Sequence, residues 1–73
     1  MSAFADLIRE SEGLGVDKLT WHCDVRGFTA DELQAGRWAC LASGPGVVVP
    51  CRAVGRTGEE ALREVVAFLR RVG

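Results

Sequence analysis

Charge of one sign, lysine and histidine are all scarce in this chain. The net charge is −1, from nine basic and ten acidic residues. That balance excludes a global pull toward nucleic acid or an anionic membrane, although it leaves room for a local basic face. Arginine outnumbers lysine eight to one, and His22 is the sole histidine. No apolar run approaches the ~20 residues that a membrane helix requires, so no membrane partner is expected. The opening "MSAFADLIRE" carries charges where a secretory signal needs an apolar centre, so export is not expected. Lipidation motifs, internal repeats, low-complexity stretches and linkers are missing. The three cysteines are an odd number and form no C-x-x-C. Together with the missing export signal, they point to free thiols in a reducing, cytoplasmic setting.

What is present suffices for one small domain, residues 1–73. Apolar residues make up 48% of the chain, enough for a core, and the short length keeps stability modest. Ser2 is placed to cap a first helix from Ala3 to about Glu12, with Phe4, Leu7 and Ile8 on one face. Gly13 suits a left-handed stop, with Leu14 folding back on the last turn. "KLTWHCDV", Lys18 to Val25, alternates as a half-buried strand does: Leu19, Trp21, Cys23 and Val25 on one side, Thr20, His22 and Asp24 on the other. "RGFTADELQAG" reads as a loop with one helical turn started by Thr29. "RWACLAS" is a second strand, "GPG" a tight reversal and "VVVPCRAV" a third strand. Pro50 cannot donate to a ladder, which places that strand at an edge or puts a bulge at Pro50. Thr57 and Glu60 form a capping box for the last helix. Ala61, Leu62, Val65, Val66, Phe68, Leu69 and Val72 give that helix a broad apolar stripe. Glu59 and Glu60 near its start, and Arg70 and Arg71 near its end, complement its dipole, and Glu59 with Arg63 makes an i,i+4 pair. The expected fold is α+β: a three-stranded antiparallel sheet with two helices packed on one face, in the order α-β-β-β-α.

That order resembles the double-stranded-RNA-binding domain. Cys51, Ala53 and Gly55 alternate along the third strand as small residues do in that family, and "GRTGEEAL" follows as the turn into the last helix. The resemblance covers most of the chain in topology and roughly residues 50–62 in motif. It implies lysines that grip phosphate at the start of the last helix. Here those positions are Gly58, Glu59 and Leu62, and the carboxylate of Glu59 would repel phosphate. The Gly-Pro-x-His motif of the first inter-strand loop is also missing. Glu10 stands where the family has an acidic minor-groove residue. The resemblance therefore implies the scaffold, and duplex RNA is not expected as a partner. The β-β-α run ending in "TGEEAL" is also similar to small HicB-type antitoxin domains, which usually begin with a strand.

Several constellations bear on chemistry. A symmetric reversal at "GPG" would set Cys40 and Cys51 nearly opposite each other, with Cys23 continuing the row beneath the helices beside Trp21 and Trp38. Buried thiols acting as small hydrophobes are the expected reading, with zinc and redox or disulfide chemistry as the competitors. His22 points away from Cys23, so the two do not readily share a metal, and none is expected. His22 and Asp24 share a face but no nucleophile joins them, so no catalytic residues, enzyme activity or cofactor are assigned. Both tryptophans are expected in the core rather than stacked on bases.

The outer face of the sheet is the surface singled out for function. Alternation places Thr20, His22, Asp24, Ala39, Leu41, Val48, Pro50, Arg52 and Val54 there. Leu41, Val48, Pro50 and Val54 form an apolar strip, flanked by Arg52 and His22, of a kind that monomers seldom expose without use. The expected function is a small non-catalytic protein-binding module: an inhibitor, adaptor or antitoxin-like partner, including phage- or mobile-element-encoded kinds. Its partner would be another protein or a second copy in a homodimer. The alternative is a nucleic-acid-binding domain that uses the late arginines Arg52, Arg56, Arg63, Arg70 and Arg71.

Overall fold

The computed structural model describes residues 3–23, 25–47 and 51–72. Its elements are α1 (Ala3–Gly13), β1 (Lys18–His22), a 3-10 turn (Val25–Gly27), α2 (Ala30–Ala35), β2 (Trp38–Ser43), β3 (Cys51–Gly55) and α3 (Gly58–Val72). The strands form one antiparallel sheet in the order β1-β2-β3. The α+β fold in the order helix–strand–strand–strand–helix is the one expected, and the helical turn expected after Thr29 in the first connection is α2.

α3 is the best-specified element. The Glu60 backbone N–H donates to Thr57 Oγ1 at 3.0 Å, and Ala61 N–H donates to the Thr57 carbonyl at 3.0 Å, so the cap satisfies donors that the first turn leaves free. Ala61, Leu62, Val65, Val66 and Leu69 are its buried stripe. They pack on Val16, Cys40, Ala42 and Cys51, with Phe4, Leu7, Ile8, Leu14, Leu19 and Trp21 closing the sides. Leu62 and Val65 are fully buried. Burial of such a side chain contributes about 1.5–3 kcal/mol. Phe68 and Val72 belong to the expected stripe but lie open, at 40% and 66% exposure, because the buried line runs through Ala61, Leu62, Val65, Val66 and Leu69 and leaves them on its flank. α1 packs beside α3, and Glu10 of α1 forms an ion pair with Arg70 in the last turn of α3.

The register fixes the two faces. Across the sheet, Leu19 pairs with Ala42 and Ala42 with Cys51, while Trp21 pairs with Cys40 and Cys40 with Ala53. These residues look toward the helices. Thr20–Leu41–Arg52 and His22–Ala39–Val54 form two rows on the outer face. Trp21 lies against Phe4, ring centroids 5.6 Å apart, and its indole N–H donates to the Gly58 carbonyl at 3.0 Å. That bond ties β1 to the start of α3 and satisfies the polar end of a half-buried ring.

Several details differ from the sequence reading. Gly13 is the last residue of α1, and the left-handed residue is Gly15, at φ +90°. Leu14 N–H still folds back onto the Ser11 carbonyl at 3.0 Å, and a Cβ on Gly15 would stand 2.5 Å from Gly46 Cα, so the two turns meet glycine to glycine. β1 stops at His22 rather than Val25, because the chain turns there to bring Phe28 back over the sheet. Cys23 is therefore exposed and does not continue the row of buried thiols. Cys40 and Cys51 are both buried and share a face, but the longer β2–β3 connection offsets them: they are diagonal neighbours, not opposite. Trp38, at the start of β2, is 39% exposed and not covered by the helices. β3 begins at Cys51. The expectations for Asp24, Val48 and Pro50, including a bulge at Pro50, and for Ser2 as a cap fall outside the described residues.

Candidate partner-binding face

The outer face of the sheet is not uniformly wet. Thr29 caps α2 through a capping box: Glu32 N–H donates to Thr29 Oγ1 at 3.2 Å, and Thr29 N–H donates to Glu32 Oε1 at 3.0 Å. The box orients Glu32 so that its other oxygen forms an ion pair with Arg52 of β3. The Arg52 guanidinium in turn lies 5.0 Å from the centre of the Phe28 ring, a cation–π geometry. The same ring meets His22 of β1 in a T-shaped arrangement, with centroids 5.8 Å apart. Phe28 thus spans from β1 to β3, above the middle strand. The residue of β2 in the His22–Val54 row is Ala39, which is fully buried although it faces away from both long helices. A short side chain there makes room for an overlying ring. Residues 25–35 act as a strap across one end of the outer face.

The other end stays open. Lys18, Thr20, Leu41, Ser43 and Arg52 project around a concavity of about 590 Å³, with Ala42, Val47 and Cys51 also lining it. Leu41 is 37% exposed at its centre. Among the residues assigned to a partner surface, Leu41 and Arg52 border this concavity. His22 and Val54 lie half-buried in the strapped row, and Val48 and Pro50 lie outside the described residues. The sequence does not single out Val47 or Lys18: each reads only as part of a regular strand, and no periodic signal marks either as part of a site.

Burial and partners adjust the charges. The backbone N–H of Thr29 and the Arg52 guanidinium hold the Glu32 carboxyl below its ordinary range. Burial, with Cys51 adding a smaller effect, pushes the Cys40 thiol up to about 11, and burial raises Cys51 as well. Such thiols stay protonated and weakly reactive at neutral pH. Among the described residues no three His, Cys, Asp or Glu side chains are placed to hold a metal ion, and no helix is long and apolar enough to cross a membrane.

The late arginines do not form one cluster. Arg52 is on the outer face, and α3 lies against the other. Arg63 pairs with Glu59 at 3.3 Å along α3, and Arg70 pairs with Glu10. Arg56 is exposed in the turn before α3, near Trp38, and Arg71 is exposed in its last turn. Leu62, the position where the RNA-binding resemblance implies a phosphate-gripping lysine, is fully buried in the core. Compared with protein-family models, with curated proteins and with solved structures, the chain matches none.

Proposed function

We propose that this domain is a small non-catalytic module that binds another protein, or a second copy of itself, through the open end of its outer sheet face. One observation carries the reading: the strap over Ala39 leaves a concavity of about 590 Å³ around Leu41, with Val47 as a second apolar residue of its lining. Apolar surface that the fold itself does not cover is where protein contacts concentrate. Lys18, Thr20, Ser43 and Arg52 supply the polar rim that such contacts usually carry. The reading extends to an inhibitor, adaptor or antitoxin-like role by analogy with proteins of this size that act through such a surface.

Sedimentation across a broad concentration range tests self-association, and affinity capture from the native host with quantitative mass spectrometry tests a foreign partner. Leu41→Asp puts a charge at the centre of the surface and is expected to abolish whichever association the native chain shows. An association that survives this substitution unchanged removes the assignment to this face.

A further inference from the structure

We propose that residues 25–35 form a latch that opens independently of the rest of the fold, with Arg52 as its catch, so that opening extends the exposed sheet face from the Leu41 row to the Ala39 row. The inference concerns regulation of the face proposed above and rests on that reading for its purpose, though not for its test. α2 has six residues and none of them is buried. The capping box holds the short helix together locally, since the Glu32 and Leu33 amides bond to Thr29 rather than to the sheet. Two of its side chains reach the outer face: Glu32, in its ion pair with Arg52, and Phe28, beside His22 and Arg52. The core cluster is built without either of them. Segments with few buried apolar contacts open at lower free energy than the core on which they lie.

Arg52 connects the latch to the binding surface. The same side chain lines the open concavity, pairs with Glu32 and lies over Phe28. A partner carboxylate reaching the concavity would compete with Glu32 for that guanidinium. Released, the strap would uncover Ala39, and with it a second row of the sheet next to the first. A closed latch also keeps that row from offering further apolar surface to unwanted contacts.

Native-state hydrogen exchange on the full chain tests this. In the unmodified protein, the amides of Leu33 and Gly36, which bond within the strap, are expected to exchange at least about tenfold faster than those of Cys40 and Leu41 in β2, through an opening insensitive to mild denaturant. Glu32→Gln keeps a capping-box side chain but removes the charge, and should speed strap exchange about two- to fivefold while leaving β2 unchanged. Phe28→Ala should do so more strongly, and Glu59→Gln on α3 should leave the strap unaffected. Strap and β2 amides exchanging at one rate in the unmodified protein, with one denaturant dependence, would make the strap part of the cooperative core and overturn the proposal. Loss of partner capture in the Leu41→Asp test leaves these exchange rates untouched, so the two readings fail separately.

Discussion

Gly36 and Gly55 meet backbone to backbone where the strap rejoins the sheet and β3 hands over to α3. A Cβ on Gly36 would overlap the Gly55 carbonyl, and one on Gly55 would stand 2.5 Å from the Ala61 amide nitrogen and 2.8 Å from the Glu60 carbonyl carbon. All these neighbours are backbone, which cannot step aside as a flexible side chain can. Gly55→Ala should therefore cost about 2–3 kcal/mol, read as a fall in Tm of roughly 10–20 °C for a domain of this size. Gly36→Ala should act in the same direction, through its own overlap with the Gly55 backbone. Gly27→Ala, where nothing lies within 4 Å, serves as control and should stay within about 0.5 kcal/mol. Equal thermal shifts for Gly55 and Gly27 would contradict this packing.

Trp21 ties β1 to α3 through its indole N–H and to α1 through Phe4. Trp21→Phe removes the bond to the Gly58 carbonyl and part of the ring. A loss of about 1–2 kcal/mol in chemical denaturation is expected, from one hydrogen bond and a small void together. Trp38→Phe should cost less, because that ring is 39% exposed. Fluorescence separates the two: acrylamide should quench the Trp21→Phe protein, which keeps only Trp38, more efficiently than the Trp38→Phe protein. The opposite order would exchange the roles of the two rings.

The elements whose determinants are local were legible in the sequence. Thr57 and the apolar stripe of α3 lie within one helix, and the alternation of β1 and β2 assigns their faces without knowledge of the fold. Register was not legible, since the length of the β2–β3 connection rather than its "GPG" sets which residue meets Cys40. Phe28 carried no signal, because a ring in a loop belongs to no period. Its role appears only when His22 and Arg52, thirty residues apart, come to flank it. The same holds for Glu10 and Arg70, whose pairing depends on two helices lying side by side. Of the candidate site, Leu41 and Arg52 were found by alternation, and the strap that divides their face in two was not.

The latch should loosen in acid. Glu32 faces Arg52 from β3 and the Thr29 backbone from its own cap; Asp31 is its acidic neighbour on α2, and His22 approaches the strap through Phe28. Its carboxyl is held down first by the Thr29 N–H and next by Arg52. A folded value below the unfolded one gives stabilisation that is present above the ordinary carboxylate range and lost as pH falls through the depressed folded value. An NMR titration of the Glu32 carboxyl should show a midpoint below the usual range. In Arg52→Gln the midpoint should rise part of the way, because the Thr29 bond remains. An unchanged midpoint in that variant would remove Arg52 from the latch.

The three thiols should differ in reactivity by position. Cys23 is exposed past the end of β1, while Cys40 and Cys51 lie under α3. Burial first, and Cys51 second, push the Cys40 thiol up to about 11. A raised folded value favours the protonated thiol, so its contribution is complete below the ordinary thiol value and fades as pH rises through the folded one. At pH near 8, alkylation of the native protein should add one label rapidly, at Cys23, and the other two only at the rate of unfolding. In denaturant all three should label together. The Cys23→Ser protein should then resist alkylation while folded, and its native mass should be the same with and without chelator. Rapid labelling of Cys40 or Cys51 in the folded state, or a mass that falls on chelation, would show that the paired inner thiols reach solvent or metal and are not packing groups.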